Sequence, residues 1–269
     1  MPKILTEDQI SAWRRDGCIF PVTAVPPDEA QLNYERYSAL EKEIGEEPQS
    51  RFKIKAHLPF PWMWNIIRNK NILDAVEDVI GPNILCWGSS FFTKNARDRR
   101  FVSWHQDSTY YGLSERATVS AWYCFSPSNV RSGCMRFIPG THAKGLFEHD
   151  ETRANDNLLM RGQTIHGIDE DIAVDVILKP GEFSLHHESV VHGSRANYSD
   201  TPRVGISIHY IAPNVHQVLL KNATATLVRG ADVHGHWGKD LEPEKDFDPV
   251  CLRSLDQTYN EYRTGAGKF

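Results

Sequence analysis

The chain has 269 residues, 40% of them hydrophobic and 10% aromatic, enough to fill a sizeable core, with an ordinary 24% of charged residues. A formal net charge of -5 excludes a general nucleic-acid binder, which needs clustered Lys and Arg on one face. Five scattered cysteines without a CxxC pair indicate neither a disulfide framework nor a zinc knuckle; with no basic leader or long apolar run, they lead us to expect a soluble, cytoplasmic protein with no membrane partner.

In chain order, Thr6 and Gln9 form the signature of a capping box, and Ile10 and Trp13 follow at helical spacing before Gly17 ends the first helix. Cys18 to Val22 reads as a strand. Pro26-Pro27 breaks it, and Asp28 is expected to cap a second helix through Leu32 and Leu40 toward Gly45. Ile66, Ile67, Ile72, Leu73, Val76, Val79 and Ile80 predict one face of a third helical region ending at Gly81-Pro82. These helices are expected to coat the outside.

From Ile84 the pattern becomes short alternating runs: Ile84 to Thr93, Phe101 to Asp107, Val119 to Phe125, Met135 to Pro139, Val174 to Leu178, Phe183 to His187 and Val204 to Ile211. Many short strands divided by Gly, Pro and Asn predict a mainly β protein with flanking helices, folded as a sandwich or jelly roll. We expect one domain over 1–269: a helical part to about 82, a jelly-roll core over about 83–215 and an extension over about 216–269. The stretches Glu148 to Gln163 and Gly230 to Asp248 read as loops, either lids at the mouth of the barrel or plain surface. Arg97, Arg99 and Arg100 read as a solvated loop bordering the active site.

The chemistry is carried by Trp104-His105-Gln106-Asp107, answered downstream by Val191-His192-Gly193-Ser194 and Arg203. On an extended strand, side chains two apart point the same way, so His105 and Asp107 can share one metal ion with His192 as third ligand. Two imidazoles and one carboxylate on one face leave the opposite positions open, the pattern of a non-heme Fe(II) oxygenase. The loop from Asn197 to Pro202 predicts a hairpin in which His192 and Arg203 are cross-strand partners about 5 Å apart. There the arginine could clamp the far carboxylate of an anion chelating the metal. Parity along the last strand turns Arg203, Gly205, Ser207 and His209 inward and Val204, Ile206, Ile208 and Tyr210 outward. His209 is then either a substrate contact or a structural histidine. Of His186 and His187 at most one can face the cavity, and neither is taken as a ligand. Tyr110, Tyr111, Trp62 and Trp64 could wall the pocket or box a quaternary amine, or simply pack in the core. A zinc hydrolase could use two His and one Asp, although no HExxH helix is present, and a metal-free jelly-roll binding protein remains a third reading.

With Ser132-Gly133-Cys134-Met135 and Ile138-Pro139-Gly140-Thr141-His142 added, the chain resembles the phytanoyl-CoA dioxygenase superfamily from about Lys53 to Ile211. The resemblance implies a double-stranded β-helix of the cupin-like kind and an enzyme using Fe(II), 2-oxoglutarate and O2 on a small-molecule substrate. Position by position, it assigns the iron to His105, Asp107 and His192 and the distal carboxylate of 2-oxoglutarate to Arg203, with Trp122, Lys53 and Ser90 at further cosubstrate positions. Asp107 fills the place where chlorinating relatives carry a small residue, which implies hydroxylation. Leu85-Cys86-Trp87, Ser89-Ser90-Phe91-Phe92 and Ser103 to Tyr110 are similar to bacterial members acting on amino- or trimethylammonio-ethylphosphonates. That similarity implies a small polar metabolite as substrate, with His209, Asn197 and Tyr110 as candidate contacts; another natural-product or amino-acid-like substrate is the alternative.

Overall fold

Helix α1 (Glu7–Asp16) starts at Thr6, whose side chain and that of Gln9 cap each other's backbone N–H groups, and stops at Gly17 in the left-handed region at φ 75°. The computed structural model to which these elements belong describes residues 2–151, 156–159 and 161–265. Strand β1 (Cys18–Thr23) follows, then α2 (Pro27–Ile44). Asp28 lies inside the first turn of α2 and is not its cap: Pro26 takes that place without a side-chain hydrogen bond, because Pro27 at the first helical position is already set for the helix. After α3 (Pro48–Arg51), the expected third helix proves to be two, α4 (Pro61–Ile67) and α5 (Lys70–Ile80). The break is at Asn69, whose side chain accepts from the N–H groups of Asn71 and Ile72 and so starts a new helix.

The strands that follow are β2 (Ile84–Lys94), β3 (Val102–His105), β4 (Val119–Cys124), β5 (Met135–Ile138), β6 (Asp150–Glu151), β7 (Gln163–Thr164), β8 (Val174–Asp175), β9 (Glu182–His187), β10 (Val191–Ser194), β11 (Arg203–Ile211), β12 (Thr224–Arg229) and β13 (Gly238–Lys239). Helix α6 (Ser108–Tyr111) interrupts them and α7 (Pro249–Gly265) ends the described chain. Seven strands form one sheet in the order β1-β9-β4-β11-β2-β12-β13, and four form the facing sheet, β3-β10-β5-β8. All pairs but β12 with β13 are antiparallel, so the architecture is the jelly roll that the strand pattern predicts.

One face of the large sheet carries the main core. Val204, Ile206, Ile208 and Tyr210 point away from the cavity and pack with Ile67, Ile72, Leu73 and Val76 of α4 and α5, as strand parity requires. Each such side chain stabilises the fold by about 1.5–3 kcal/mol through burial, and the Tyr210 hydroxyl, which would otherwise cost, donates to the Ile67 carbonyl at 2.9 Å. Trp62 and Trp64 belong to this helix-sheet core, and neither lines the cavity between the sheets or the one that adjoins it. The C-terminal stretch is tied in as well. Strand β12 pairs with β2, and the Tyr259 hydroxyl of α7 accepts from the N–H groups of Lys53 and Ile54. No described helix is long and apolar enough to cross a membrane.

Candidate active site

The opposed faces of the two sheets enclose an inner cavity of about 170 Å³, into which His105, Asp107, His192, Arg203 and Trp122 all project. His105 ends β3 and His192 stands directly across from it on β10, with ring centroids 4.1 Å apart. Strand β3 stops at His105. Asp107 is therefore not two residues along a strand: it caps the short α6 in helical conformation, and this turn, in place of strand parity, brings its carboxylate back to the imidazoles. Its Oδ1 lies 3.3 Å from His105 Nε2 and 3.9 Å from His192 Nε2.

Both histidines are oriented by their own strands. Nδ1 of His105 faces the Ser103 carbonyl at 2.9 Å and Nδ1 of His192 faces the Val190 carbonyl at 2.9 Å. A carbonyl can only accept, so each Nδ1 carries a proton and each Nε2 is the ring atom turned to the cavity. Burial, with His105 beside it, lowers the His192 pKa to about 4, so that ring is neutral at ordinary pH. Burial alone would raise the Asp107 pKa, but His192 and His105 outweigh it and hold the carboxyl well below the usual range. One atom from each of the three lies within 4.8 Å of the others, a two-nitrogen, one-oxygen set that fits a first-row divalent metal ion. Gly193 follows His192 because a Cβ there would stand 2.9 Å from the Val102 carbonyl oxygen of the neighbouring strand. Gln106, between the two ligand candidates, is buried and spans loops, donating to the Gly145 and Ser189 carbonyls and accepting from the Phe147 N–H.

Arg203 lies on the other sheet. His192 and Arg203 are not hairpin partners: β10 pairs with β3 and β5, whereas β11 pairs with β2 and β4. The loop between them is a corner that carries the chain from one sheet to the other, so the two residues face the same cavity from opposite walls. Asn197 holds this corner and lines neither cavity. Its amide donates to the carbonyls of Lys94, Asn95 and Thr201, and its oxygen accepts from Ser199, which leaves nothing for a substrate.

The Arg203 guanidinium is 2% exposed, stacks over the Trp122 ring at 5.2 Å and donates from Nη1 to the Gly133 carbonyl at 2.9 Å, while its Nε has no partner. Burial lowers its pKa to about 10, which still leaves it charged at neutral pH. A buried cation with a free donor and, among the described residues, no carboxylate partner fits the far end of a dicarboxylate. Gly205, two residues on, is required by the same packing, since a Cβ there would stand 2.5 Å from the Trp122 ring.

Of the adjacent His186 and His187, only His186 faces the inner cavity. Its Nε2 lies 3.9 Å from Asp107 Oδ2 and its Nδ1 is unpartnered, while His187 turns away to pack near Trp13 and His142.

An outer cavity of about 420 Å³ joins the inner one through Ser90, Phe92, Tyr111 and His209, which line both. Nδ1 of His209 lies 2.9 Å from Ser120 Oγ and 3.3 Å from the Tyr111 hydroxyl, and burial lowers its pKa to about 4. Lys53 lines only the outer cavity; Ser90 reaches both, and its hydroxyl donates to the Lys53 carbonyl at 2.6 Å. The side chain of Tyr110 lies outside the described part of the structure. Of the polar loop over 148–163, Asn157, Leu158, Arg161 and Gln163 border the outer cavity, and Arg100 does so from the arginine loop, held by Glu47 and Asp98. In the second polar stretch, the Asp240 side chain is buried against Lys55 at 2.7 Å and β13 pairs with β12, so the stretch is anchored there while most of its residues are exposed.

A family model described as "Phytanoyl-CoA dioxygenase (PhyH)" matches residues 13–205. The chain is 29% identical to the peroxisomal phytanoyl-CoA dioxygenase of Bos taurus over 154 residues, 55% of this chain and 45% of that protein. It is 24% identical to a probable alpha-ketoglutarate-dependent hypophosphite dioxygenase of Stutzerimonas stutzeri, over 66% of this chain and 63% of that one. The chain thus spans about half the length of the curated phytanoyl-CoA dioxygenases it matches. Among solved structures, the apo form of ThoJ, a non-heme monooxygenase, superposes with a TM-score of 0.83 at 31% identity, covering 95% of this chain and 96% of that one.

Proposed function

Because the chain belongs to the phytanoyl-CoA dioxygenase family, we propose that it is an Fe(II)- and 2-oxoglutarate-dependent hydroxylase of a small polar metabolite. The observation that carries this reading is one cavity with two chemically different ends, an imidazole and carboxylate triad on one wall and, on the other, a buried arginine that pairs with no carboxylate among the described residues. His105, Asp107 and His192 would hold the iron, and Arg203, flanked by Trp122, would hold the distal carboxylate of 2-oxoglutarate. Iron so held, with the cosubstrate beside it, supplies the activation of O2 that no side chain provides.

The work of the chain's own residues is placement. Ser103 and Val190 carbonyls fix both imidazoles in one tautomer, so the ligand atoms need no reorganisation on loading. Trp122, Phe92 and Met135 keep the inner cavity largely apolar, which excludes water from the reacting centre. The substrate enters from the outer cavity, and the neck of Ser90, Phe92, Tyr111 and His209 fixes which carbon faces the metal end. Lys53, exposed at the outer cavity and absent from the inner one, is there a contact for a substrate anion instead of a cosubstrate ligand. Trp87 and Tyr111, edge to face at 4.7 Å, offer aromatic surface to a quaternary amine. These features support a zwitterion such as an aminoethylphosphonate or its trimethylammonio analogue. The volume of the outer cavity favours a second reading, a natural-product or amino-acid-like substrate of larger size, since about 420 Å³ falls in the range that holds drug-sized ligands.

The test is succinate release in air from the Fe(II)-loaded protein with 2-oxoglutarate and a panel of these phosphonates, larger amino-acid derivatives and a fatty acyl-CoA. Substrate-stimulated succinate is expected with a polar member. Stimulation by the acyl-CoA alone would overturn the substrate class, and no succinate under any condition would overturn the reaction.

A further inference from the structure

Lys94 and Arg203 stand directly opposite each other where β2 and β11 pair, and both are buried. Lys94 Nζ lies 2.6 Å from Ser194 Oγ, 3.5 Å from the Gly133 carbonyl oxygen and in contact with the Arg195 carbonyl. Arg203 uses that same Gly133 carbonyl. Two cationic side chains thus share one acceptor in a site away from water, and among the described residues no carboxylate pairs with either. The titratable groups facing Lys94 are Arg203 across the strand pair, Cys134 in the turn before β5, and Asp98 and Arg100 in the loop after β2. Asp98 and Arg100 are already bonded to each other.

Like charges in such a place are relieved when the weaker base gives up its proton, and between these two the lysine yields. Burial, reinforced by Arg203, lowers the Lys94 pKa to about 6. A neutral amine keeps two N–H groups and one lone pair, which match two carbonyls and one hydroxyl. In that state Lys94 donates to the Gly133 and Arg195 carbonyls, and the Ser194 hydroxyl spends its hydrogen on Nζ. A protonated Lys94 donates to all three. Ser194, a residue that lines the inner cavity, then accepts through Oγ, and its hydroxyl hydrogen is released from Nζ.

The geometry points to Lys94 as a proton-coupled positioning residue for the cosubstrate. It is neutral in the free protein and takes one proton from solvent when a carboxylate settles on Arg203, and that proton turns the Ser194 hydroxyl into a donor toward the bound anion. This rests on the reading that Arg203 holds the distal carboxylate of 2-oxoglutarate.

The experiment is calorimetric titration of 2-oxoglutarate into the Mn(II)-loaded protein at pH 7.5, in buffers of different ionisation enthalpy. Uptake of about one proton per 2-oxoglutarate is expected, falling toward zero near pH 5, with affinity dropping by up to about tenfold per pH unit above neutrality. The Lys94→Met protein should bind with no uptake and a flat pH profile. Absence of uptake in the wild-type protein overturns the proposal whether or not the variant folds, and so does uptake that persists in folded Lys94→Met. Binding by Arg203→Met as tight as wild type would instead overturn the arginine reading itself, which separates the two failures.

Discussion

The two ends of the inner cavity are built on different electrostatic plans. At the metal end, the anionic Asp107 sits between His105 and His192, whose Nδ1 protons are committed to carbonyls, so each of these three has a partner within the protein. At the arginine end, Arg203 and Lys94 share one carbonyl, and Arg203 Nε has none. The first end gathers three ligand atoms suited to a cation and the second gathers positive charge suited to an anion. A bound dianion that bridges them would complete both, which is why one cavity suits a metal and a dicarboxylate together.

Substitutions at either end should separate these roles. The largest effect is expected at the metal end: His105→Ala, His192→Ala or Asp107→Ala should each weaken iron binding by more than about a hundredfold, since even loss of an outer-shell partner costs 10- to 100-fold. Iron uptake by equilibrium dialysis would check this, and turnover should vanish with it. At the other end, Arg203→Ala removes a charge-assisted contact of about 1.5–3 kcal/mol, so the 2-oxoglutarate requirement should rise roughly tenfold to a hundredfold. Its iron affinity should stay near that of the wild type, and a variant that lost both equally would blur the distinction between the ends.

The glycines give a subtler contrast. A Cβ at Gly193 meets the backbone carbonyls of Val102 and Ser103, which cannot move without moving His105, whereas at Gly205 it meets only the Trp122 side chain. Both Gly193→Ala and Gly205→Ala should cost about 1–3 kcal/mol of stability by overpacking. In urea unfolding and metal titration, Gly193→Ala should lose iron affinity as well, and Gly205→Ala should chiefly raise the 2-oxoglutarate requirement.

The smallest expected effect is on the pH dependence of stability. The pKa values of His187, His192 and His209 are lowered to about 4, chiefly by burial, so between pH 4 and about 6.5 the unfolded chain binds more protons at these sites than the folded one. Stability from these groups is therefore lost as pH falls through that window. Glu188 works in the opposite sense, because burial pushes its pKa up to about 7, but buried His57 and His186, whose pKa values burial also lowers, add to the three histidines. The Tm of the metal-free protein should fall on acidification from pH 6.5 to 4.

Much of this was legible in the sequence where periodicity alone decides. The inward set Arg203, Ser207 and His209 and the outward set Val204, Ile206, Ile208 and Tyr210 follow from the two-residue period of a strand buried on both faces. The capping box at Thr6 and Gln9 was equally local. What failed depended on distant partners. The turn signals from Asn197 to Pro202 are the same whether the chain folds back on its own sheet or crosses to the facing one, so the hairpin pairing of His192 with Arg203 was the wrong choice between two locally identical loops. Parity gave the right company for Asp107 by the wrong route, since β3 ends two residues earlier and a helical turn does the aiming. Asn197 looked like a pocket residue because its polarity was visible, while the three carbonyls that consume its amide were not. Strand β12 and helix α7 were folded into an undivided extension, because β12 is one short strand whose partner β2 is far away in sequence and α7 gains its stability from packing against the segment around Lys53.

The most direct test of the two-ended cavity is the visible spectrum of the protein under anaerobic conditions with Fe(II) and 2-oxoglutarate. Metal and cosubstrate bound together at adjoining sites should give a weak charge-transfer band that is absent with Zn(II), lost in His192→Ala, and recovered in Arg203→Ala only at much higher 2-oxoglutarate. A wild-type protein that binds both Fe(II) and 2-oxoglutarate yet gives no band, or a band that His192→Ala leaves unchanged, would contradict the account.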